Sequence, residues 1–423
     1  MTQQRPCWRR SAPMAAEVSG ATARTDPRRV IGPSVGYAVV GLSAFVLLAS
    51  GPRLLGGVEY SLLATSWTMI TIFGWGLAYP AEQIVTTIVA GRGGGHELAL
   101  IQVVILGLAA VGILLPLAAA AGHDPVLGNS TVWTLGVLAG AVGWASVVVP
   151  RGTLSGEGRF AAYGGLLVAE GVTRLALCAL AWFVPRPEIA LAAALVLPLL
   201  VSGLAGWLVA GVARSAGGPP QVRAYPAVAL VALSFQVLMN AGPLVLQSRI
   251  PGDIAGQYVS AMTYMRIPML FTSGFLTVVL SGASHAWAGK DGRGLDRAVR
   301  LAGVGSLACL VLTAATWLVS GPLLTAFYGS PVDLTAGVLA LLGVASVLGV
   351  TANLLTQVPL GTRRQPAMAV IWVAAAGCAL VLMFLASPTA LGVTVATIVG
   401  MVLCIVPTWF VIRQVRVHMS GRG

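Results

Sequence analysis

The side chains in this sequence that could do chemistry are few, and most interrupt apolar runs. Arg266 stands about 11 residues into the run 255–280, or roughly 16 Å along a helix. At helical spacing it shares a face with Thr263 and Ser273, and no carboxylate lies within one turn. Glu170 and Arg174 are four apart in the run 161–184, so a helix faces them toward each other, with Tyr163 and Thr173 beside them. Gln236, Asn240 and Gln247 return to one face of the run 226–248, and Pro243 after Gly242 is expected to kink it. Amides in that position suit sugar hydroxyls, and they also join helices. Trp75 offers an indole for stacking on a sugar ring or for apolar packing. Glu82 follows Pro80 in "YPAEQ" near the end of its run and reads as interfacial.

A charged side chain at mid-bilayer costs at least ~2.5–3.5 kcal/mol and faces a partner or a cavity. Two readings of Arg266 follow. Its guanidinium could offer paired donors and permanent charge to a pyrophosphate, or it could pair with a distant structural carboxylate or snorkel to the interface. Glu170 and Arg174 likewise read either as a self-neutralising pair or as a proton site. In the second case their pairing would change between inward-open and outward-open states. The candidate substrate residues are therefore Arg266, Asn240, Gln236, Gln247, Arg174 and Trp75, with Glu170 as the coupling-ion candidate.

No metal, cofactor or catalytic residue is expected. Cys7, Cys178, Cys309, Cys378 and Cys404 are scattered without ligand spacing. His96, His123, His285 and His418 stand alone and are expected in loops or tails. No P-loop is present to bind ATP.

The elements that position these residues follow from composition. Hydrophobic residues make up 57% of the 423, charged residues 9%, and mean hydropathy is +0.88. Soluble domains carry about 25% charged residues, so this is a polytopic membrane protein. At about 20 apolar residues per crossing, twelve spans are predicted. They cover 31–50, 60–81, 98–119, 130–149, 161–184, 189–212, 226–248, 255–280, 299–319, 333–358, 367–386 and 390–412. The net charge of +12 then reflects basic residues gathered at one membrane face rather than nucleic-acid binding. With the N-terminus inside, that face holds Arg92, Arg151, Arg214, Arg293, Arg363 and Arg413 among others. Only Arg53, Arg186 and Arg249 fall on the opposite side, which places both termini in the cytoplasm.

"VPRGT" from Val149 and "VPLGT" from Val358 then occupy equivalent ends of spans 4 and 10, where Pro and Gly suit a helix stop. "GGVEYS" and "AGQYVS" similarly enter spans 2 and 8. The chain divides into a disordered basic tail (1–29) and two parallel six-helix bundles (30–218 and 219–423). An all-α transporter plan around a central cavity follows.

Several stretches carry a family likeness. They are "GPRLLGGVEYSLLATSWTMITIFGWGLAYPAEQIVTTIVA", "PRGTLSGEGRFAAYGGLLVAEGVTR", "FQVLMNAGPLVLQSRIPGDIAGQYVSAMTYMRIPML" and "GPLLTAFYGS". In order and spacing they resemble the bacterial polysaccharide-export flippases, O-antigen type, of the multidrug/oligosaccharidyl-lipid/polysaccharide (MOP) superfamily. The resemblance implies a MATE-like fold and movement of a lipid-pyrophosphate-linked glycan between the leaflets of the bacterial cytoplasmic membrane. The implied partners are that lipid-linked glycan, membrane lipids and glycan-assembly enzymes. Where many relatives read "N-x-D" after span 7, this chain keeps Asn240 in "LMNAGPLV" and lacks the acidic residue.

Three other functions fit the pattern less well. An exporter of cationic drugs would favour an acidic cavity, whereas the mid-membrane charge here is net positive. A membrane glycosyltransferase or ligase would need carboxylates in a sizeable outer segment, and "AAGHDPVLGNS" and "GPLLTAFYGSPVD" are short. A structural scaffold would not need two facing bundles.

Overall fold

A computed structural model describes residues 27–90, 127, 130–210, 225–250, 253–328, 334–386 and 389–420. Its N-terminal half holds α1 (Pro27–Leu54), α2 (Gly57–Phe73), a π-helical turn (Gly74–Ala78), α3 (Tyr79–Ala90), α4 (Thr131–Gly156), α5 (Phe160–Leu180) and α6 (Pro187–Ala210). The C-terminal half holds α7 (Tyr225–Arg249), α8 (Ile254–Met265), α9 (Ile267–Gly289), α10 (Gly292–Leu318), α11 (Ser320–Tyr328), α12 (Ala336–Gly361), α13 (Gln365–Leu385) and α14 (Ala390–Ser420).

Among the described residues, ten helical stretches are long and apolar enough to cross a membrane. In hydrocarbon the backbone must satisfy its own hydrogen bonds, so such runs fold as helices. The predicted third span (98–119), His96, His123 and residues 1–26 of the predicted tail lie outside the described residues. Pro27–Arg29, read as tail, open α1. The predicted eighth span is divided at Arg266 into α8 and α9, because Pro268 cannot donate a backbone hydrogen bond and clashes with the preceding turn. The stretch read as an outer loop contains α11. His285 and His418, expected in loops or tails, belong to α9 and α14.

Helix packing recurs between the halves. In the first, α1 packs on α5, α3 on α4, α4 on α6 and α5 on α6. In the second, α7 packs on α13, α9 on α12, α12 on α14 and α13 on α14. The two near-identical pentapeptides occupy matching helices with different outcomes. "VPLGT" ends α12, while α4 continues through Pro150 to Gly156. Pro150 is therefore no helix stop. Gly152 and Gly156 let α3 press closely on this extension: a Cβ on Gly152 would lie 2.5 Å from the Val85 Cβ, and one on Gly156 2.7 Å from the Val89 Cβ. Arg151, read from sequence as a surface cation, is buried as a result, at 3% exposure.

The halves meet where α2 crosses α7 and α8. At the end carrying the α1–α2 and α7–α8 turns, the Tyr60 hydroxyl bonds to the Ser260 hydroxyl and the Gly256 N–H donates to Ser61 Oγ over 3.0 Å. Arg53 donates to the Ala326 carbonyl nearby. The Tyr60 ring lies between two glycines: a Cβ on Gly51 would come within 2.5 Å of it, and one on Gly256 within 2.7 Å. Overpacking of this kind costs ~1–3 kcal/mol, so Gly256→Val should weaken the closed seam by about tenfold or more. The check is thiol labelling of Ser61→Cys in a background without native cysteines. Labelling should be slow in the parent and at least about tenfold faster with Gly256→Val.

Candidate functional site

Arg266 forms the junction between α8 and α9, so its side chain leaves the helix axis where backbone regularity is lost. Its Nη1 donates to Asn240 Oδ1 over 2.8 Å, and Nη2 donates to the Met239 carbonyl. Its Nε is buried without a hydrogen-bond partner among the described residues. Asn240 in turn donates from Nδ2 to Gln236 Oε1 over 2.8 Å and to the Gln236 carbonyl over 3.0 Å. All of these acceptors are neutral. No ion pair involving Arg266 is found among the described residues.

The Gln236 end of this row lies against the other half of the molecule. A Cβ on Gly76, in the π turn, would lie 3.6 Å from the Gln236 Cβ and 3.0 Å from Leu233 Cδ1. Arg266, Asn240 and Gln236 therefore form one connected unit, with its Gln236 end beside the meeting line of the halves. Gln247 does not join them: it is buried at 3% exposure one helical turn and more away, with its Oε1 unbonded among the described residues.

A second cluster of charge lies inside the N-terminal half. Glu170 is gripped by two guanidiniums, with Oε2 taking Arg151 Nη2 and Oε1 taking Arg174 Nη2 over 3.1 Å. Arg151 Nη2 also reaches Ser202 Oγ at 2.9 Å. Arg174 further donates to Ser43 Oγ at 3.1 Å and the Ala194 carbonyl at 3.2 Å, and its guanidinium lies 5.7 Å from the Trp67 ring centroid. The expected Glu170–Arg174 pair is thus one side of a triad. With donors on all three nitrogens engaged, Arg174 has a structural task here rather than an open face for substrate.

Glu82 is also inside the protein, at 5% exposure, which corrects the interfacial reading. The Tyr163 hydroxyl donates to its Oε1 over 2.8 Å, and Tyr163 shares a 2.6 Å hydroxyl contact with Tyr37. Trp75 stands beside this chain. Its ring centroid lies 6.2 Å from Tyr37, 5.0 Å from Tyr79 and 5.9 Å from Trp144. Gly74 makes the last approach possible, since a Cβ there would fall 2.2 Å from the Trp144 ring.

Two sequence signals mark these partners. Arg151 replaces the Leu360 of the second pentapeptide, so one copy carries a charge where the other is apolar. Pro268 marks the break that displaces Arg266. Tyr37, Tyr79, Tyr163 and Trp144 are scattered over 126 positions and converge only through the fold.

No protein-family model matches the chain. No curated protein matches it either. Solved structures do. A multidrug resistance MATE family transporter of the MOP superfamily, in an inward-facing conformation, superposes with a TM-score of 0.69 at 15% identity, covering 93% of this chain and 99% of that one. The fold is MATE-like. An outward-facing structure of a multidrug resistance MATE family transporter gives a TM-score of 0.66 at 16% identity, over 93% and 96% of the two chains. A MOP superfamily transporter from Pyrococcus furiosus gives 0.63 at 16%, over 92% and 95%. That structure is described as having a binding pocket of reversed polarity that suggests a different function. The MATE-like fold and the ten apolar helices make this chain a multi-pass membrane protein.

Proposed function

We propose that this chain is a flippase that moves a lipid-pyrophosphate-linked oligosaccharide across the bacterial cytoplasmic membrane. One observation carries the reading: among the described residues, a guanidinium within the membrane has only neutral partners and a buried N–H left unpaired. A charge in such a place must be offset, and a pyrophosphate offers oxygens matched to the planar fork. Asn240 and Gln236 extend the row with amides suited to the adjoining sugar. The lipid tail stays in the bilayer while the halves rock about their seam. With both termini in the cytoplasm, the Tyr60–Ser260 seam lies on the outer side, and the substrate enters from the inner leaflet.

A second reading has its own support, because solved structures of this fold include multidrug transporters. A cationic substrate would then meet Arg266, which repels it. The test is reconstitution into vesicles containing a lipid-pyrophosphate-linked oligosaccharide, followed by periodate oxidation of outward-facing sugar. In the flippase reading, oxidation proceeds past the initially outward half to near completion. Oxidation stopping at half, together with extrusion of an organic cation from the same vesicles, would transfer the assignment to the exporter.

A further inference from the structure

The aromatic cluster beside Glu82 has no part in the pyrophosphate row, and it differs from the packed core in two respects. Trp133 and Trp372 bury fully and satisfy their indole N–H groups, Trp133 on Glu59 Oε2 at 2.9 Å and Trp372 on Thr356 Oγ1 at 3.0 Å. Trp75 and Trp144, with Tyr37 and Tyr79, each keep part of their surface exposed. Among the described residues, the indole N–H groups of Trp75 and Trp144 have no hydrogen-bond partner. Three rings packed on Trp75, two tilted and one edge-on, with free N–H donors and a hydroxyl chain ending on a carboxylate, are an arrangement for an amphipathic ring. A lipid tail would leave those polar groups unpaired.

We propose that Tyr37, Trp75, Tyr79 and Trp144 form a sugar-stacking subsite that holds a neutral pyranose ring of the transported glycan. This rests on the flippase reading and names the part of the substrate it contacts. The C–H face of the sugar lies on the indole of Trp75, and its hydroxyls meet the Tyr37 hydroxyl and the unpaired indole N–H groups. An aromatic box can also hold an organic cation. Charge argues against it here, because Glu82 and Glu170 are matched by Arg151 and Arg174 within the same half. A cation would find no net negative field, whereas an uncharged ring needs none. Placement agrees with the pyrophosphate row. Gly76, next to Trp75, packs on α7 at Gln236, so the aromatic cluster stands one residue from the contact at which the Arg266 row ends.

The probes are octyl glucoside and octyltrimethylammonium, which share a tail and differ in head group, tested against the purified protein in nanodiscs. Saturable octyl glucoside binding should weaken about tenfold in Trp75→Leu and change little in Trp75→Phe, which keeps a ring. Octyltrimethylammonium should not displace it. Thermal melting of each variant shows that the fold is kept. Binding that is absent, indifferent to Trp75→Leu, or displaced by the ammonium overturns the subsite. If the sugar binding depends on Trp75 but vesicles show no glycan movement, the flippase reading fails and the subsite stands. If glycan moves equally well in the parent and in Trp75→Leu, the reverse holds.

Discussion

Arg266→Ala is expected to insert and accumulate like the parent while losing nearly all movement of lipid-linked glycan. The guanidinium makes no ion pair among the described residues, and its partners Asn240 Oδ1 and the Met239 carbonyl are neutral. Removing it therefore strands no opposite charge and relieves an insertion cost of at least ~2.5–3.5 kcal/mol. What disappears, in the proposed function, is the attraction for the pyrophosphate. Losing a charge-assisted hydrogen-bond pair in a low-dielectric site costs ~2–5 kcal/mol, or a fall in rate of roughly thirtyfold or more. Arg266→Lys should recover only part, since an ammonium supplies charge without the planar pair of donors. A structural cation would give the reverse order, with Ala lowering stability and Lys restoring it. The measurement is oxidised outer-leaflet glycan per unit of folded protein, and full transport by a stable Arg266→Ala protein would sink the pyrophosphate role.

The charge triad should respond in the opposite way. Glu170→Leu leaves Arg151 and Arg174 buried at 3% exposure without their shared carboxylate. Breaking a buried pair from one side costs ~3–5 kcal/mol, which is a large part of the stability of any fold. Glu170→Leu should therefore accumulate poorly and melt early in detergent. Removing Glu170 and Arg174 together does not cure this, because Arg151 then keeps, among the described residues, its hydrogen bond to Ser202 and the charge of Glu82 but no ion pair. The triple change Arg151→Met, Glu170→Leu and Arg174→Met should recover most of the lost stability, since apolar replacement of a whole buried ion cluster is often neutral or favourable. A double variant as stable as the triple one would show that Arg151 bears no such dependence. A stable triple variant that moves no glycan would give Glu170 a task in coupling as well as in folding.

The fold was legible because membrane spans are a signal of composition, readable before any contact is known. Arg266 was legible for the same reason, as a charge in the middle of an apolar run. Arg151 and Glu82 were not, because each stands where an apolar run ends and loops normally begin. Burial there depends on the glycine face of α4 admitting α3, which is a property of two helices together. Glu170 was paired correctly with Arg174 by helical spacing, but its second guanidinium arrives from another helix. Local periodicity contains no information about it. The aromatic cluster was missed apart from Trp75 for the same reason, with four helical segments each contributing single residues.

The wide turn at Gly74–Ala78 gives the helix between Gly57 and Ala90 two separately phased surfaces. One surplus residue in a turn rotates everything beyond it by about 100° while adding only about 1.5 Å of length. Tyr60 and Ser61, ahead of the turn, address the opposite bundle, and Tyr79 and Glu82, beyond it, address their own. Evolution can thus retune the seam and the carboxylate pocket by independent substitutions, without one misaligning the other. An inserted or deleted residue at this turn changes aim far more than reach, so related chains that differ in length here would point the same side chains at different neighbours.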